Sequence, residues 1–463
     1  MLTQFSSQKS FVLTMAGIII GLGNIWRFPY LVSNYGGGIF VALYLLMLFG
    51  VGYFLLLGEL SYGKTIRKDF WDGAENIAKR EMAPYPKVWQ GLISTIPLLC
   101  AFLMNIIYVI VIGWILFYCV QNFLYFTDVS SISITHETFY SLTQNFEMQL
   151  FWSFVCIVLA YFFLRNASVK ALERLSAIFI PSLIFILTYL ILWSLSQTGA
   201  IDGALSVVRP DWIAVGISPD GFDGLRFLNV ILVVIEQVIY SLSLGMGVAY
   251  IYGSYASFNI NLISATKYIV ALDCICSLLS AVFVLAVSTA FDIPKTAGSA
   301  LTFISLPVAF GQMIGGSFLM FLFYGIFFLA AFTTLISLYE PLVRLLSQKL
   351  PLSRGIAFFI VGGLNFLVVA LVLFSATDHA NFTLFNKNMF SLTDSITNTM
   401  LLLSVFIICI FIGWISFDTI YLSLKSHFDK SMTPTAFSYM KNILRFVGPL
   451  ILIILLLKTL FFM

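Results

Sequence analysis

The chain has 463 residues, of which 60% are hydrophobic and 10% are charged, and its formal net charge is +3. Water-soluble domains carry roughly a quarter of their residues as charged side chains. This composition therefore excludes a soluble protein and indicates one whose surface mostly faces lipid. The six cysteines lie within apolar runs, which argues against a disulfide framework and against a structural zinc site. The small net charge gives no indication of nucleic-acid binding.

A helix needs about 20 apolar residues to cross a hydrocarbon core about 30 Å thick. On this length the sequence predicts an all-α integral membrane protein, with a single domain over 1–463. The run after Lys9 is interpreted as a span and not as a signal peptide, because no small-residue cleavage site closes it. The predicted spans are 10–34, 39–63, 88–125, 149–165, 172–196, 223–252, 263–290, 317–346, 355–374, 393–424 and 439–461.

Two connections between the spans are long. Residues 197–222 are rich in Gly, Pro and Asp, which predicts an irregular segment. Residues 291–316 hold short apolar stretches between Gly and Pro, which predicts short helices that form a lid over the outer face. Most of the 24 Lys and Arg fall in loops on one side of the spans. Basic loops stay on the inner side, so we expect a protein of the cell membrane with a cytoplasmic N-terminus and an external C-terminus.

Glycine pairs interrupt two spans. Gly21 and Gly23 lie in the first span, and Gly245 and Gly247 lie in the sixth. A single pair more often marks close helix packing, but a break frees backbone polar groups that can bind ions. Two pairs five spans apart are typical of inverted repeats with a site between them. The predicted units are 10–196 and 223–424 as the two five-helix repeats, and 439–461 as an additional C-terminal helix.

Several motifs resemble the neurotransmitter:sodium symporter family. They are GLGNIWRFPY at 21–30, NYGGG at 34–38, IYSLSLGMG at 239–247, SLP at 305–307, GGSF at 315–318, FTT at 332–334 and GW at 413–414. The resemblance covers nearly the whole chain in the family's order, and the short loops and eleven spans resemble prokaryotic members. It implies a LeuT-type fold with discontinuous first and sixth helices. It also implies sodium-coupled symport of an amino acid by alternating access.

The resemblance further implies two sodium sites. Both consist of oxygen ligands, which suit a small hard cation. At the first site the implied ligands are the carbonyl of Ile19 and the side chains of Asn24, Ser241 and Asp273. At the second they are the carbonyls of Gly17, Ile20 and Ala330 and the hydroxyls of Thr333 and Thr334. Without the resemblance, two adjacent hydroxyls in an apolar helix would be expected to bond to their own helix.

Asp273 departs from the family, whose members commonly have asparagine there. In chloride-dependent members, chloride binds beside the first sodium at positions that are Tyr44, Gln237, Ser241 and Ser277 in this chain. A buried carboxylate already places a negative charge there, and two adjacent anions repel. We therefore expect chloride-independent transport, with Asp273 as the counter-ion of the first sodium and as a proton acceptor on the return step.

The substrate pocket follows from the same resemblance. The hydroxyl of Tyr108 and the backbone N–H groups of Leu22 and Gly23 are expected to bind a carboxylate. Carriers of decarboxylated amines have aspartate at the position of Gly21, so glycine there favours a zwitterionic amino acid. The remaining predicted wall residues are Ile18, Ile19, Met104, Tyr240, Ser241, Ser243, Met246, Thr334 and Leu338. Because this wall is mostly apolar, a hydrophobic or aromatic amino acid is expected, and another small zwitterion is left open.

The family closes its outer side with an ion pair from the first span. Arg27 is the expected cation and Asp394 its expected partner in the tenth span. Alignment on the GW motif places Thr393 at that position, one residue away. Glu236 is a second candidate partner for Arg27.

Other gate positions are less regular. Glu59 resembles the glutamate that accepts hydrogen bonds from the unwound sixth helix. On the inner side, Phe5 is nearest to the position of the family's N-terminal tryptophan. Gln348 stands where an aspartate is usual. The inner closure is therefore left open by the resemblance.

The alternatives to a transporter are a sensor, a channel and an enzyme. A sensor that keeps the pocket without transporting is left open by the altered inner gate. A channel is disfavoured because no charged ring lines a pore. An enzyme is disfavoured because His136, His379 and His427 lie in loops or near span ends. The expected partners are an amino acid, two sodium ions and the bilayer, without nucleic acid or an organic cofactor, and the oligomeric state is undetermined.

Overall fold

The structure, a computed structural model, describes residues 4–67, 70–125, 132–165, 169–219, 221–292, 301–313, 315–377, 383–425 and 433–461. These ranges are almost wholly α-helical, which confirms the predicted all-α class. Ten helices are long and apolar enough to cross a membrane. A pair of helices bent by 58°, Gln8–Ile19 and Gly23–Asn34, forms the remaining span.

The spans keep the predicted order, with shifted ends. The first five are Gln8–Ile19 with Gly23–Asn34, then Gly38–Ile66, Pro86–Tyr125, Phe146–Leu164 and Val169–Ser194. The other six are Gly224–Ser241 with Val248–Tyr255, then Leu262–Ala290, Gly316–Lys349, Arg354–Ala376, Met389–Ile415 and Pro434–Leu460. Within them, π-helical turns occupy Gly23–Arg27, Leu48–Gly52, Phe411–Ile415 and Ile443–Val447.

Shorter elements connect the spans. The helices are Gly73–Arg80, Ile132–Gln144, Ala200–Ser206, Leu301–Ser305, Leu306–Gly311 and Phe417–Lys425. Two antiparallel hairpins pair Ile217–Ser218 with Gly221–Phe222 and Thr383–Leu384 with Lys387–Asn388. All β-strands found in the described part of the chain belong to these two hairpins.

The connection over 197–222 is more regular than predicted. It contains the helix Ala200–Ser206, which packs across the seventh span. Gly203 makes this possible, because a Cβ there would lie 2.2 Å from the carbonyl oxygen of Leu285. The prediction of an irregular segment was therefore wrong for these residues, since packing overrides the low helix propensity of glycine.

The predicted lid at 291–316 lies partly outside the described residues, at 293–300 and at 314. Its described part contains two short helices, as predicted. The hydroxyl of Tyr324 donates to the Thr302 carbonyl at 2.7 Å, and that of Tyr118 donates to the Phe303 carbonyl at 3.1 Å. These bonds hold the segment against the third and eighth spans.

Both predicted helix breaks are present and buried. The first helix ends at Ile19 because Ile20 adopts an extended conformation, with φ −73° and ψ 104°. In the sixth span, Gly245 and Gly247 have φ of 76° and 72°, in the left-handed region that favours glycine. A Cβ on Gly245 would also lie 2.6 Å from Cγ2 of Val405. The two breaks face each other at the centre of the bundle.

Candidate functional site

A cluster of polar side chains joins the first break to the sixth and seventh spans. The side-chain nitrogen of Asn24 lies 2.7 Å from Oδ1 of Asp273, 2.8 Å from Oγ of Ser277 and 3.1 Å from Oγ of Ser241. The Asn24 side-chain oxygen accepts the N–H of Gly21 at 3.2 Å. Asn24, Asp273 and Ser277 are fully buried. Four residues from three spans thus form one buried polar centre.

The carboxylate of Asp273 is fully engaged by hydrogen-bond donors. The Ser241 hydroxyl lies 2.8 and 2.9 Å from its two oxygens, and the Tyr44 hydroxyl donates to Oδ2 at 3.1 Å. A buried charge is tolerated only with such partners. The oxygens around the Asn24 nitrogen accept its N–H groups, and a cation would use the same oxygens. The cluster is therefore chemically suited to a small cation with one carboxylate ligand.

A second set of oxygens lies between the first and eighth spans. The Thr333 hydroxyl lies 2.7 Å from the carbonyl oxygen of Gly17 and 2.8 Å from that of Ala330. The Thr334 hydroxyl lies 2.7 Å from the carbonyl oxygen of Ile18. The carbonyls of Gly17 and Ile18 come from the last turn of the helix that ends at Ile19, where backbone acceptors are free. The threonines thus bond across to another span and not only within their own helix.

Gly21 lies between the two oxygen clusters, beside two residues of the predicted pocket. A Cβ on Gly21 would be 3.0 Å from Oγ1 of Thr334 and 3.7 Å from the hydroxyl oxygen of Tyr108. The side chains of Tyr108 and Tyr240 lie close to each other. The other predicted wall residues that are buried are Ile18, Ile19, Met104, Ser243, Met246 and Leu338.

A cavity of about 600 Å³ extends from this region towards the C-terminal end of the last span. It is lined by Leu22 and Tyr240 of the predicted pocket and by Arg27 and Asp394 of the predicted gate. Lining residues that the sequence reasoning missed include Trp26, Tyr30, Ile107, Val111, Phe390 and Lys458. Helical spacing could have found Val111, which lies three residues after Tyr108 on the third span.

Arg27 pairs with an acid from the sixth span in this conformation. Its Nη2 lies 3.5 Å from Oε2 of Glu236, and its guanidinium lies 5.4 Å from the ring centre of Tyr240. Asp394 lines the same cavity, and its Oδ2 accepts the Asn398 side chain at 3.4 Å. Thr393 instead bonds to the Met389 carbonyl of its own helix. Of these two residues, Asp394 and not Thr393 therefore lines the cavity of Arg27.

The four positions equivalent to a chloride site do not all meet. Tyr44, Ser241 and Ser277 surround the Asp273 carboxylate. The side-chain nitrogen of Gln237 donates to the Gly23 carbonyl at 3.1 Å, and its oxygen accepts Arg27 at 3.3 Å. Gln237 thus bonds to the first span.

The sixth break is held from the second and tenth spans. Oε1 of Glu59 accepts the N–H of Gly245 at 2.9 Å, and the Ser404 hydroxyl donates to the Gly245 carbonyl at 2.5 Å. Both backbone groups that the break frees at Gly245 are satisfied by side chains. Glu59 of the second span thus accepts a hydrogen bond from the sixth break.

On the side of the bundle opposite the cavity, Glu340 forms the centre of a cluster. Its carboxylate accepts the Tyr255 hydroxyl and the guanidinium of Arg354. The backbone carbonyl of Tyr255 accepts the backbone N–H of Phe5 at 3.2 Å. The ring of Phe5 packs at 5.0 Å from that of Phe11. This cluster joins the N-terminal segment, the sixth span and the eighth span.

A second cation, Arg344, contacts Tyr255 of the same cluster. Arg344 donates to Oγ of Ser254 and to the carbonyl of Arg67, both at 2.6 Å, and its guanidinium lies 5.0 Å from the ring centre of Tyr255. The sequence reasoning missed both Arg344 and Glu340. Their spacing of four residues on one helix face was a usable signal.

Histidines and cysteines gather at no site in the described ranges. There, no group of three or more His, Cys, Asp or Glu could hold a metal ion, and the six cysteines are free. His136 lies in the helix Ile132–Gln144, while His379 and His427 lie outside the described residues.

Eleven spans, two of them broken beside buried polar clusters, define a secondary-transporter fold. The model of the sodium:neurotransmitter symporter family matches residues 3–130 and 125–463, and the chain belongs to this family. A sodium-dependent transporter of Haemophilus influenzae is 28% identical, covering 99% of this chain and 98% of the relative. One of Bacillus subtilis is also 28% identical, covering 98% and 97%.

A solved protein structure is similar to this one over nearly the whole chain. MhsT in complex with L-phenylalanine matches with a TM-score of 0.85 and 26% identity, covering 98% of this chain and 99% of that chain. MhsT has the LeuT fold, which confirms the predicted fold class. The chain is therefore a multi-pass membrane protein of a sodium-coupled transporter family, and not an enzyme.

Proposed function

We propose that this chain is a sodium-coupled symporter for a hydrophobic or aromatic amino acid, and that it works without chloride. The observation that carries the proposal is the pair of buried oxygen clusters on either side of the broken first helix. Both clusters include groups of that helix, so binding at either site depends on the same backbone segment. Such shared dependence is what couples the affinity of one ligand to that of another.

The first sodium ion would be bound by Asn24, Ser241, Asp273 and the carbonyl of Ile19. The second would be bound by Thr333, Thr334 and the carbonyls of Gly17, Ile20 and Ala330. Hydrogen bonds already link most of these groups, so the ligand oxygens are close together before a cation arrives. At both sites a cation would take over acceptors that now receive hydrogen bonds from side chains.

The substrate would lie beside Gly21, with its carboxylate on the N–H groups of Leu22 and Gly23 and on the Tyr108 hydroxyl. Met104, Met246 and Leu338 would contact its side chain, which favours an apolar group. The L-phenylalanine complex of MhsT, 26% identical to this chain, supports an aromatic or hydrophobic amino acid.

Chloride independence rests on Asp273. Its carboxylate lies among Tyr44, Ser241 and Ser277, which are three of the four positions that would hold chloride. The hydroxyls of Tyr44 and Ser241 already donate to this anion, and a second anion beside it would be repelled.

Alternating access would open the bundle at one end and then at the other, by motion of the two predicted repeats, 10–196 and 223–424. With the N-terminus on the cytoplasmic side, the 600 Å³ cavity opens to the outside. The cluster around Glu340 then closes the cytoplasmic side. Substrate and sodium would enter through the cavity, and Arg27 would close over them.

Uptake into proteoliposomes tests the proposal. An inward sodium gradient should drive accumulation of a labelled amino acid, identified by competition with each of the twenty amino acids. Collapsing the gradient with a sodium ionophore should abolish accumulation. Binding without accumulation would instead support a sensor, and accumulation without sodium would contradict the coupling.

A further inference from the structure

Glu236 lies between two cations that come from opposite ends of the chain. Oε2 lies 3.5 Å from Arg27 of the first span, and Oε1 lies 3.6 Å from Nζ of Lys458 in the last span. The exposed fractions of these side chains are 33% for Arg27, 28% for Lys458 and 25% for Glu236. All three groups are thus partly withdrawn from water, where charges interact more strongly than on an open surface.

A second acid lies in the same cavity. Asp394 lines it together with Arg27, Glu236 and Lys458, so two cations and two carboxylates share one space of about 600 Å³. Arg27 contacts Glu236 in this conformation, whereas Asp394 accepts a hydrogen bond from Asn398 of its own helix. The cavity therefore offers Arg27 two acids on two different spans, of which it uses one.

We propose that Lys458 is a positioning residue of the transport cycle, which holds Glu236 when Arg27 moves from Glu236 to Asp394. This step rests on the proposed function only in requiring that the cavity closes during transport. Without Lys458, the departure of Arg27 would leave a partly buried carboxylate without a cation. Leaving such a charge unpaired is unfavourable, and Lys458 lowers this barrier to closure.

The two contacts compete for one carboxylate. When one cation contacts the Glu236 carboxylate, it partly neutralises the negative charge. The attraction between that carboxylate and the second cation is therefore weaker. Removing Lys458 therefore strengthens the bond between Arg27 and Glu236 and favours the open cavity. Removing the charge of Glu236 releases Arg27 and favours closure. A partly exposed ion pair changes such an equilibrium by about two- to fivefold.

The test measures how accessible the cavity is, independently of transport. Asn229, which lines the cavity, is replaced by cysteine, and its modification by a charged methanethiosulfonate reagent is timed in sodium-containing membranes. The same chain without Asn229→Cys gives the background from the native cysteines. Lys458→Met should raise the modification rate about two- to fivefold. Glu236→Gln should lower it, and Lys458→Arg should restore the original rate.

A double variant decides whether Lys458 acts through Glu236. In the Glu236→Gln background, Lys458→Met should have no further effect on the rate. In uptake, Lys458→Met should lower the maximal rate more than it changes the KM. Arg209→Met is the matched control, since Arg209 pairs with Asp202 on an exposed surface. The same modification rate in Lys458→Met and the parent, or equal effects in both backgrounds, would overturn the proposal even in a chain that fails to transport.

Discussion

Asn24 and Asp273, 249 positions apart in the sequence, are joined by a hydrogen bond of 2.7 Å. The same asparagine side chain accepts the N–H of Gly21 inside the first break. The break is thereby tied to a carboxylate on the continuous seventh span. At the proposed first sodium site, a cation on Asp273 would rearrange this asparagine, and the rearrangement would reach Gly21 beside the proposed pocket. We propose this as the route by which sodium binding changes the affinity for substrate.

Replacing Asp273 by asparagine should make transport depend on chloride. The substitution removes the fixed negative charge but keeps a side chain of the same shape beside Tyr44, Ser241 and Ser277. Chloride could then supply the missing charge next to sodium. Uptake by Asp273→Asn should fall at least tenfold when gluconate replaces chloride, while wild-type uptake should stay unchanged. Wild-type uptake that falls in gluconate would contradict the assignment of Asp273 as counter-ion.

Removing the two hydroxyls of the second cluster should weaken sodium binding. Thr333→Val and Thr334→Val keep the side-chain shape and delete ligands that now lie 2.7 Å from carbonyl oxygens. Losing a buried polar partner costs about 1–3 kcal/mol. The half-saturating sodium concentration should therefore rise roughly five- to a hundredfold, by the same estimate. Ser337→Ala is the control, because this hydroxyl lies one turn further along and bonds to the Thr333 carbonyl and the Tyr252 hydroxyl, not to a carbonyl of the first span.

In the same titrations, the Hill coefficient for sodium should fall towards one in the threonine variants if a second ion binds there. An unchanged sodium dependence in both threonine variants would show that these hydroxyls serve only helix packing. Sodium should still be required, because the cluster around Asp273 remains intact.

The broken spans could be predicted from sequence because glycine carries the information locally. Gly245 and Gly247 adopt φ angles that other residues rarely adopt, and the pairs stand out within apolar runs. Oxygen-bearing side chains such as Asn24 and Thr333 are also conspicuous in such runs. The resemblance to a family then assigned them to sites.

Most ion pairs at the two ends could not be predicted in this way. Glu236 was an alternative partner for Arg27, but its contact with Lys458 was not predicted, and neither was the pair of Glu340 with Arg354. Contacts between side chains of different spans depend on the rotation of each helix and on how neighbouring spans pack. The periodicity of residues within one span determines neither the rotation nor the packing. The helix Ala200–Ser206 was missed for a similar reason, since its packing on the seventh span outweighs local propensity.

Adding one methyl group at Gly21 should impair substrate binding. A Cβ there would lie 3.0 Å from Oγ1 of Thr334 and 3.7 Å from the Tyr108 hydroxyl, inside the proposed pocket. Gly21→Ala should raise the substrate KM about tenfold or more, which corresponds to about 1.4 kcal/mol. Gly91→Ala is the matched control, because no atom lies within 4 Å of a Cβ at that position. An unaltered KM in Gly21→Ala would place the substrate elsewhere.

Weakening the cluster around Glu340 should open the side opposite the cavity. Glu340→Gln removes the charge that Arg354 contacts, and it also weakens the acceptor for the Tyr255 hydroxyl. Because this pair is only 8% and 23% exposed, we expect its loss to matter more than that of a surface pair. Trypsin added to the side of the N-terminal segment, which we propose is the cytoplasmic side, should cut that segment several-fold faster. Lys349→Met, which breaks an exposed pair with Asp72, should leave the cleavage rate unchanged. Equal rates in Glu340→Gln and wild type would exclude Glu340 from the inner closure.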